Sequence, residues 1–204
     1  MRDYDKALAD IEDIRSRMAA STVFRGLGPL ALASTAVLAL ATALVQHSLL
    51  DTPLERPGIF FVSWIAVAIL SVALIGAEMI IRSRRHHAGL ADAMIYQAVH
   101  QFLPAGAAGA AVALIIGQFA PDEVWMLPGF WQILVSLGLF AAAPSLPRGS
   151  LLAGAWYFLA GCVVLMIESS QPTLSPWSMA IPFAVGQLLL AGVIQQATGD
   201  IDAE

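Results

Sequence analysis

The sequence has few charged residues and almost no cysteine. Of its 204 residues, 12% are charged and 58% are hydrophobic, whereas about 25% of the residues in soluble domains are charged. No sizeable water-soluble domain fits this composition. Cys162 is the single cysteine and lies inside an apolar run, so an internal disulfide and a cysteine-based zinc motif are both excluded.

Catalytic and transport signatures are also missing. No phosphate-binding loop, paired catalytic carboxylates or convergent nucleophile and base can be recognised. No Asp, Lys or Arg lies in the middle of an apolar run, so the usual titratable steps of a proton relay are missing. The net charge of −5 is spread thinly, which argues against direct nucleic-acid binding. These absences favour a non-enzymatic protein and assign it no cofactor.

The sequence does contain six apolar runs separated by short polar clusters. A helix needs about 20 mostly apolar residues to cross the hydrocarbon layer of a membrane. We therefore predict an all-α fold, a polytopic transmembrane bundle of about six helices within residues 23–196, followed by a solvated acidic tail at 197–204. The predicted spans lie at about 24–46, 59–81, 99–119, 127–143, 151–167 and 177–195.

The positions of Lys and Arg orient this bundle, because short cytoplasmic loops retain positive charge. In a six-span arrangement, nine of the ten Lys and Arg residues share one side with both termini, and Arg56 lies on the other side with Glu168 and other acids. The sequence therefore predicts a multi-pass membrane protein with cytoplasmic termini. The nine residues are Arg2, Lys6, Arg15, Arg17, Arg25, Arg82, Arg84, Arg85 and Arg148.

Small residues are dense at 105–111 of the third span, and small side chains let helices approach closely in lipid. We expect this helix to be central to the bundle. Residues 1–22 form a different kind of segment, because apolar side chains recur every three or four positions over 4–18. This spacing predicts a cytoplasmic amphipathic helix. Its mixed charges favour a protein surface, either of this chain, of a second copy or of a cytoplasmic partner, over the bilayer.

Most of the remaining polar chemistry lies around the second cytoplasmic segment. If 89–103 extends the third span as a helix, Asp92, Tyr96 and His100 share one face. His100 could bind a metal or haem together with His86 or His87, although an arginine-rich loop followed by an interfacial helix explains the same residues. Glu78 and Arg82 are spaced to pair on one helix. Gln187 is the deepest amide, and we expect it to bond across helices.

Several blocks along the chain resemble an uncharacterised family of bacterial inner-membrane proteins. They include Phe24-Arg25-Gly26-Leu27-Gly28-Pro29, Gly76-Ala77-Glu78-Met79, Gln101-Phe102-Leu103-Pro104, Leu127-Pro128-Gly129 and Gly186-Gln187-Leu188-Leu189. The resemblance implies six spans, a location in the bacterial cytoplasmic (inner) membrane and a gene often located beside one for a winged-helix transcription regulator. It transfers no functional residue.

Three roles follow as hypotheses. The first is a non-enzymatic sensor or regulatory protein that acts through its cytoplasmic face. The second is a small transporter or permease component, which predicts a hydrated cavity reaching Gln187 or Gln132. The third is a haem- or metal-binding membrane protein that uses His100 and its neighbours.

Overall fold

Six long α-helices joined by short turns make up the computed structural model, which describes residues 27–50, 53–86 and 91–202. All six are long and apolar enough to cross a membrane, so the predicted fold class is confirmed and the chain is a multi-pass membrane protein. The predicted amphipathic helix at 4–18 lies outside the described residues. The helices are α1 (Pro29–Leu49), α2 (Pro57–His86), α3 (Ala91–Phe119), α4 (Leu127–Ala142), α5 (Ser150–Ser170) and α6 (Pro176–Asp202).

Three of these helices continue well past the predicted spans. The arginine-rich segment continues α2 to His86, α3 already begins at Ala91, and α6 continues through the acidic tail to Asp202. Hydropathy marks only the part of a helix that suits hydrocarbon, whereas backbone hydrogen bonds continue through polar residues as well. The start of α3 agrees with the helical extension predicted for 89–103.

The helices form a ring in the order α1, α6, α5, α4, α3, α2. The most extensive contacts join α1 to α6 and α4 to α5, while α2 and α3 touch much less. On α1, Ala31, Thr35, Ala39 and Ala43 are buried and recur every four residues. Small side chains at this spacing bring backbones close together in lipid, so α1 has the packing face that the sequence suggested for α3.

The prediction that the third span is central is wrong. Only 6% of the span Val99–Phe119 is buried, compared with 44% of the span Pro176–Ala197. Among the described residues, no atom lies within 4 Å of a Cβ added at Gly106 or Gly117, so these glycines do not mediate a tight contact. The closest approach of a glycine to the backbone of another described helix joins α4 and α5 instead, where a Cβ added at Gly161 would lie 2.7 Å from the backbone oxygen of Gly129.

The two ends of the bundle can be told apart by the bonds between consecutive helices. We call proximal the end at which α1 begins and α6 ends, and distal the opposite end. At the distal end, Gln46 Nε2 donates to the backbone oxygen of Phe60 at 3.1 Å, and Trp64 Nε1 donates to Gln46 Oε1 at 2.9 Å. At the proximal end, Gln101 Nε2 donates to Ser145 Oγ at 3.1 Å. Each end has its own buried apolar cluster.

Candidate functional site

A cavity of about 320 Å³ occupies the proximal half of the bundle and is lined by residues from all six helices. Its volume is near the lower bound of small-molecule sites, roughly 300 Å³. The lining is predominantly apolar, and the described residues that form it include no Asp, Glu, Lys, Arg or His. The apolar lining residues are Leu27, Leu32, Val72, Ile75, Met79, Val99, Phe102, Val135, Leu139, Ala142, Leu146 and Leu190.

The polar residues in the cavity wall are Gln97, Gln101, Ser145, Tyr157 and Gln187. Gln187 Nε2 donates to Tyr157 Oη at 3.2 Å, and Tyr157 Oη donates to the backbone oxygen of Phe183 at 3.1 Å. The amides of Gln187 and Gln101 both line the cavity, and neither Oε1 atom has a hydrogen-bond partner among the described residues. A buried acceptor without a donor is unfavourable by about 1–3 kcal/mol. The wall therefore offers two unused acceptors in otherwise apolar surroundings.

The cavity is open on the side where α2 meets α3. These neighbours make little contact with each other, and the lining residues Val72 and Val99 are 72% and 50% exposed. Phe102 also lines the cavity and is partly exposed. In a membrane-spanning bundle, an apolar opening between two helices faces the hydrocarbon, so the cavity can be entered sideways from the lipid.

Glu78 links the cavity wall to the start of α1. Its Oε2 accepts the backbone N–H of Ala31 at 2.8 Å, in the first turn of a helix whose N-cap residue is Gly28 and has no side chain to offer. A Cβ added at Gly28 would lie 1.7 Å from Glu78 Oε1. The carboxylate thus caps α1 from 47 positions away, at the helix end where negative charge is favoured. Its neighbour Met79 lines the cavity.

The structure brings some of the sequence-predicted residues together. Arg82 Nη1 lies 3.6 Å from Glu78 Oε1, which confirms the predicted pairing. The rings of Tyr96 and His100 lie 5.9 Å apart between centroids, as their spacing on one helix face predicts.

The other residues that the sequence groups with Tyr96 and His100 are His86, His87 and Asp92. His86 ends α2 and Asp92 lies in the first turn of α3, while His87 lies outside the described residues. Within the described part of the chain, no three His, Cys, Asp or Glu residues converge as metal ligands. The haem or metal hypothesis therefore stays a prediction for His100 and its neighbours.

Gln187 bonds across helices to Tyr157, as its position predicted. Sequence reasoning missed Tyr157 as a wall residue, because it lies in a run that hydropathy alone describes. Its partner glycine is recognisable only in the structure, where a Cβ added at Gly186 would collide with the tyrosine ring. Sequence reasoning also treated Glu168 as a loop acid, whereas it is buried in the last turn of α5 with 3% exposure.

The transporter hypothesis predicted a hydrated cavity that reaches Gln187 or Gln132. The observed cavity reaches Gln187 and does not include Gln132, and its wall is apolar. Such a wall disfavours water and favours hydrocarbon chains. Comparison with known proteins adds nothing to this geometry, since no family model, curated protein or solved structure matches the chain.

Proposed function

We propose that this chain is a non-enzymatic membrane sensor that binds a neutral amphiphile in the proximal cavity. The observation that carries the proposal is the apolar cavity with its sideways opening and its two unused acceptors, Gln101 Oε1 and Gln187 Oε1. Apolar walls with a few polar groups are typical of small-molecule sites. The sensor reports the presence of such a molecule in the membrane to the cytoplasm.

The wall chemistry narrows the ligand to one class. Two free acceptors require a donor on the ligand, such as a hydroxyl or an amide N–H. A charged head group at this depth would lack a counter-charge, because no charged side chain is among the described residues that line the cavity. The ligand is therefore a single-chain lipid or isoprenoid with a neutral, donor-bearing head.

Glu78 is the element that transmits occupancy. A ligand against Ile75 and Met79 pushes on the turn of α2 that presents the Glu78 carboxylate to Ala31. Moving that turn weakens the cap of α1, and the chain just before α1 is the charged segment 1–26. A conformational signal needs two states that the ligand distinguishes, and here they are the capped and uncapped start of α1.

The sidedness of this signal follows from the charge distribution. Nine of the ten Lys and Arg residues precede α1, lie near the end of α2 or follow α4, and the start of α1, the end of α2 and the end of α4 are all at the proximal end. By the positive-inside rule that end is cytoplasmic, and bacterial inner-membrane location is part of the same proposal. Residues 4–18 then contact a cytoplasmic partner or a second copy.

Filling the cavity tests the proposal directly. Gly76 lines the cavity, and among the described residues no atom lies within 4 Å of a Cβ added there. Gly76→Phe should therefore add a ring to the cavity wall and reduce the space for a ligand. In nanodiscs, a photoactivatable long-chain alcohol should label the wild-type protein at α2 or α3, and unlabelled alcohol should compete. We expect Gly76→Phe to abolish this labelling.

The matched control is Gly117→Phe, which adds the same ring at an equally open glycine of α3 away from the cavity lining. Labelling of this variant should equal that of the wild type. Equal labelling of Gly76→Phe and wild-type protein would contradict the cavity as the binding site. Analogues of the alcohol that carry a carboxylate or a phosphate head group serve as further competitors. If either of them competes better than the alcohol, the proposed ligand class is contradicted.

A second experiment addresses the cytoplasmic output. Removing residues 1–20 should abolish capture of a cytoplasmic partner and leave insertion and alcohol labelling intact. Unchanged capture by the shortened protein would refute the proposed role of the N-terminal segment.

A further inference from the structure

A second polar site lies in the distal half of the bundle, away from the cavity. Glu168 is in the last turn of α5 and is 3% exposed. The side chain of Ser178 on α6 lies next to its carboxylate, and neither carboxylate oxygen has a hydrogen-bond partner of good geometry among the described residues. An isolated buried carboxylate is strongly unfavourable unless it is neutralised.

Gln132 on α4 converges on the same residue of α6. Pro182 lies inside α6 and has no N–H, so the carbonyl of Ser178, four residues earlier, loses its helical partner. Gln132 Nε2 donates to that carbonyl at 2.7 Å. This hydrogen bond fixes the orientation of the Gln132 amide. Gln132 is only 4% exposed, and its Oε1 has no hydrogen-bond partner in the described part of the chain.

Among the described residues, no cation is paired with this group of oxygens, and Arg56 at the same end is exposed. The packed faces of α4 and α6 contribute no charged residue between Leu127 and Ala142 or between Pro176 and Ala197. The adjoining turn Pro121–Met126 contributes two further acids, Asp122 and Glu123, of which Glu123 accepts the indole N–H of Trp125 at 2.9 Å. His47 lies at the same end with its ring against Trp177, and the described ion pair of the chain is at the proximal end.

We propose that Glu168, Gln132 and Ser178 form a binding site for a small monovalent cation, with Na⁺ as the fitting ion. The ligands are the two carboxylate oxygens, the amide oxygen and the serine hydroxyl, an all-oxygen set of the kind that hard cations prefer. One positive charge balances the single carboxylate, whereas a divalent ion would leave a net buried charge. Cation sites in membrane proteins commonly lie where a spanning helix is interrupted, as Pro182 interrupts α6.

The cation ties α4, α5 and α6 together, so it should stabilise the folded state by mass action. We would measure the thermal unfolding midpoint of the full-length protein in detergent at fixed pH while NaCl replaces choline chloride at constant ionic strength. The midpoint of the wild-type protein should rise with Na⁺ and reach a plateau. In Glu168→Gln the apparent Na⁺ affinity should fall by about tenfold or more, as when groups are removed around a metal.

Two further variants separate the site from general effects of charge. Glu123→Gln removes a carboxylate from the same end and should titrate like the wild type. Gln132→Met keeps the length of the side chain, removes the amide oxygen and should weaken Na⁺ binding. It also replaces Glu168→Gln as the decisive variant if that protein fails to fold.

Three outcomes would overturn the proposal. The first is a wild-type thermal unfolding midpoint that does not change when NaCl replaces choline chloride. The second is an unchanged Na⁺ response in Glu168→Gln or, where that protein does not fold, in Gln132→Met. The third is a midpoint that depends on pH through Glu168 but not on Na⁺, because a proton would then neutralise the carboxylate. None of these outcomes bears on alcohol labelling in the proximal cavity.

Discussion

Replacing Glu78 should show whether this residue stabilises the protein mainly by capping α1 or mainly by its ion pair with Arg82. Glu78 Oε2 accepts the Ala31 N–H at 2.8 Å, and Oε1 lies 3.6 Å from Arg82 Nη1. Glu78→Ala removes both interactions, whereas Glu78→Gln keeps an oxygen acceptor for Ala31 and removes the charge. If the cap dominates, the two variants will differ in stability.

The structure sets the size of this difference. A hydrogen bond to a charged group contributes about 1.5–3 kcal/mol, and a carboxylate at a helix N-terminus adds about 0.3–1 kcal/mol. The pair with Arg82 is 23–27% exposed, and such pairs contribute about 0–1 kcal/mol. Because these contributions overlap, we expect Glu78→Ala to lower the free energy of unfolding by about 2 kcal/mol and Glu78→Gln by about half of that.

Reversible unfolding in mixed micelles by a denaturing detergent measures both values. Asp122→Asn, an exposed acid at the distal end, is the control and should leave stability unchanged. Gly28→Ala should mimic Glu78→Ala, because its Cβ would displace the carboxylate, and should add little when combined with it. Equal losses in Glu78→Ala and Glu78→Gln, or additive losses with Gly28→Ala, would refute the cap.

Three other predictions follow from contacts described above. Gly161→Ala should destabilise the protein by about 1–3 kcal/mol through overpacking against Gly129, whereas Gly106→Ala should be neutral or stabilising in the same unfolding measurement. Gln46→Leu should destabilise by about 1–3 kcal/mol because it leaves the indole N–H of Trp64 buried and unpaired, and adding Trp64→Phe should recover part of the loss. The haem or metal hypothesis predicts a visible absorbance band or bound metal in the purified protein, and His100→Ala should remove it.

Hydropathy and spacing predicted the fold well, because the need for about 20 apolar residues per span acts on each segment separately. The i, i+4 pairs predicted on single helices, Glu78 with Arg82 and Tyr96 with His100, were also within reach of such reasoning. Both pairs depend only on helix geometry. They need no knowledge of how the helices pack.

Contacts between distant helices were not predictable in this way. The small residues of α3 looked like a packing face, but the tight contacts use Ala39 and Ala43 of α1 and the pair Gly129 and Gly161. Composition alone cannot say which small-residue face meets a partner. Glu168 was misread as a loop acid because α5 continues to Ser170, which turns the residue inward.

The contact between α1 and α6 has a consequence for biosynthesis. α1 has its most extensive contact with α6, so the buried face of α1 stays unmatched until α6 has been inserted. Contacts of this long range form late and slowly, and chains truncated before α6 expose a small-residue face suited to other helices. Insertion of α6 is therefore the step that removes this adhesive face from the membrane.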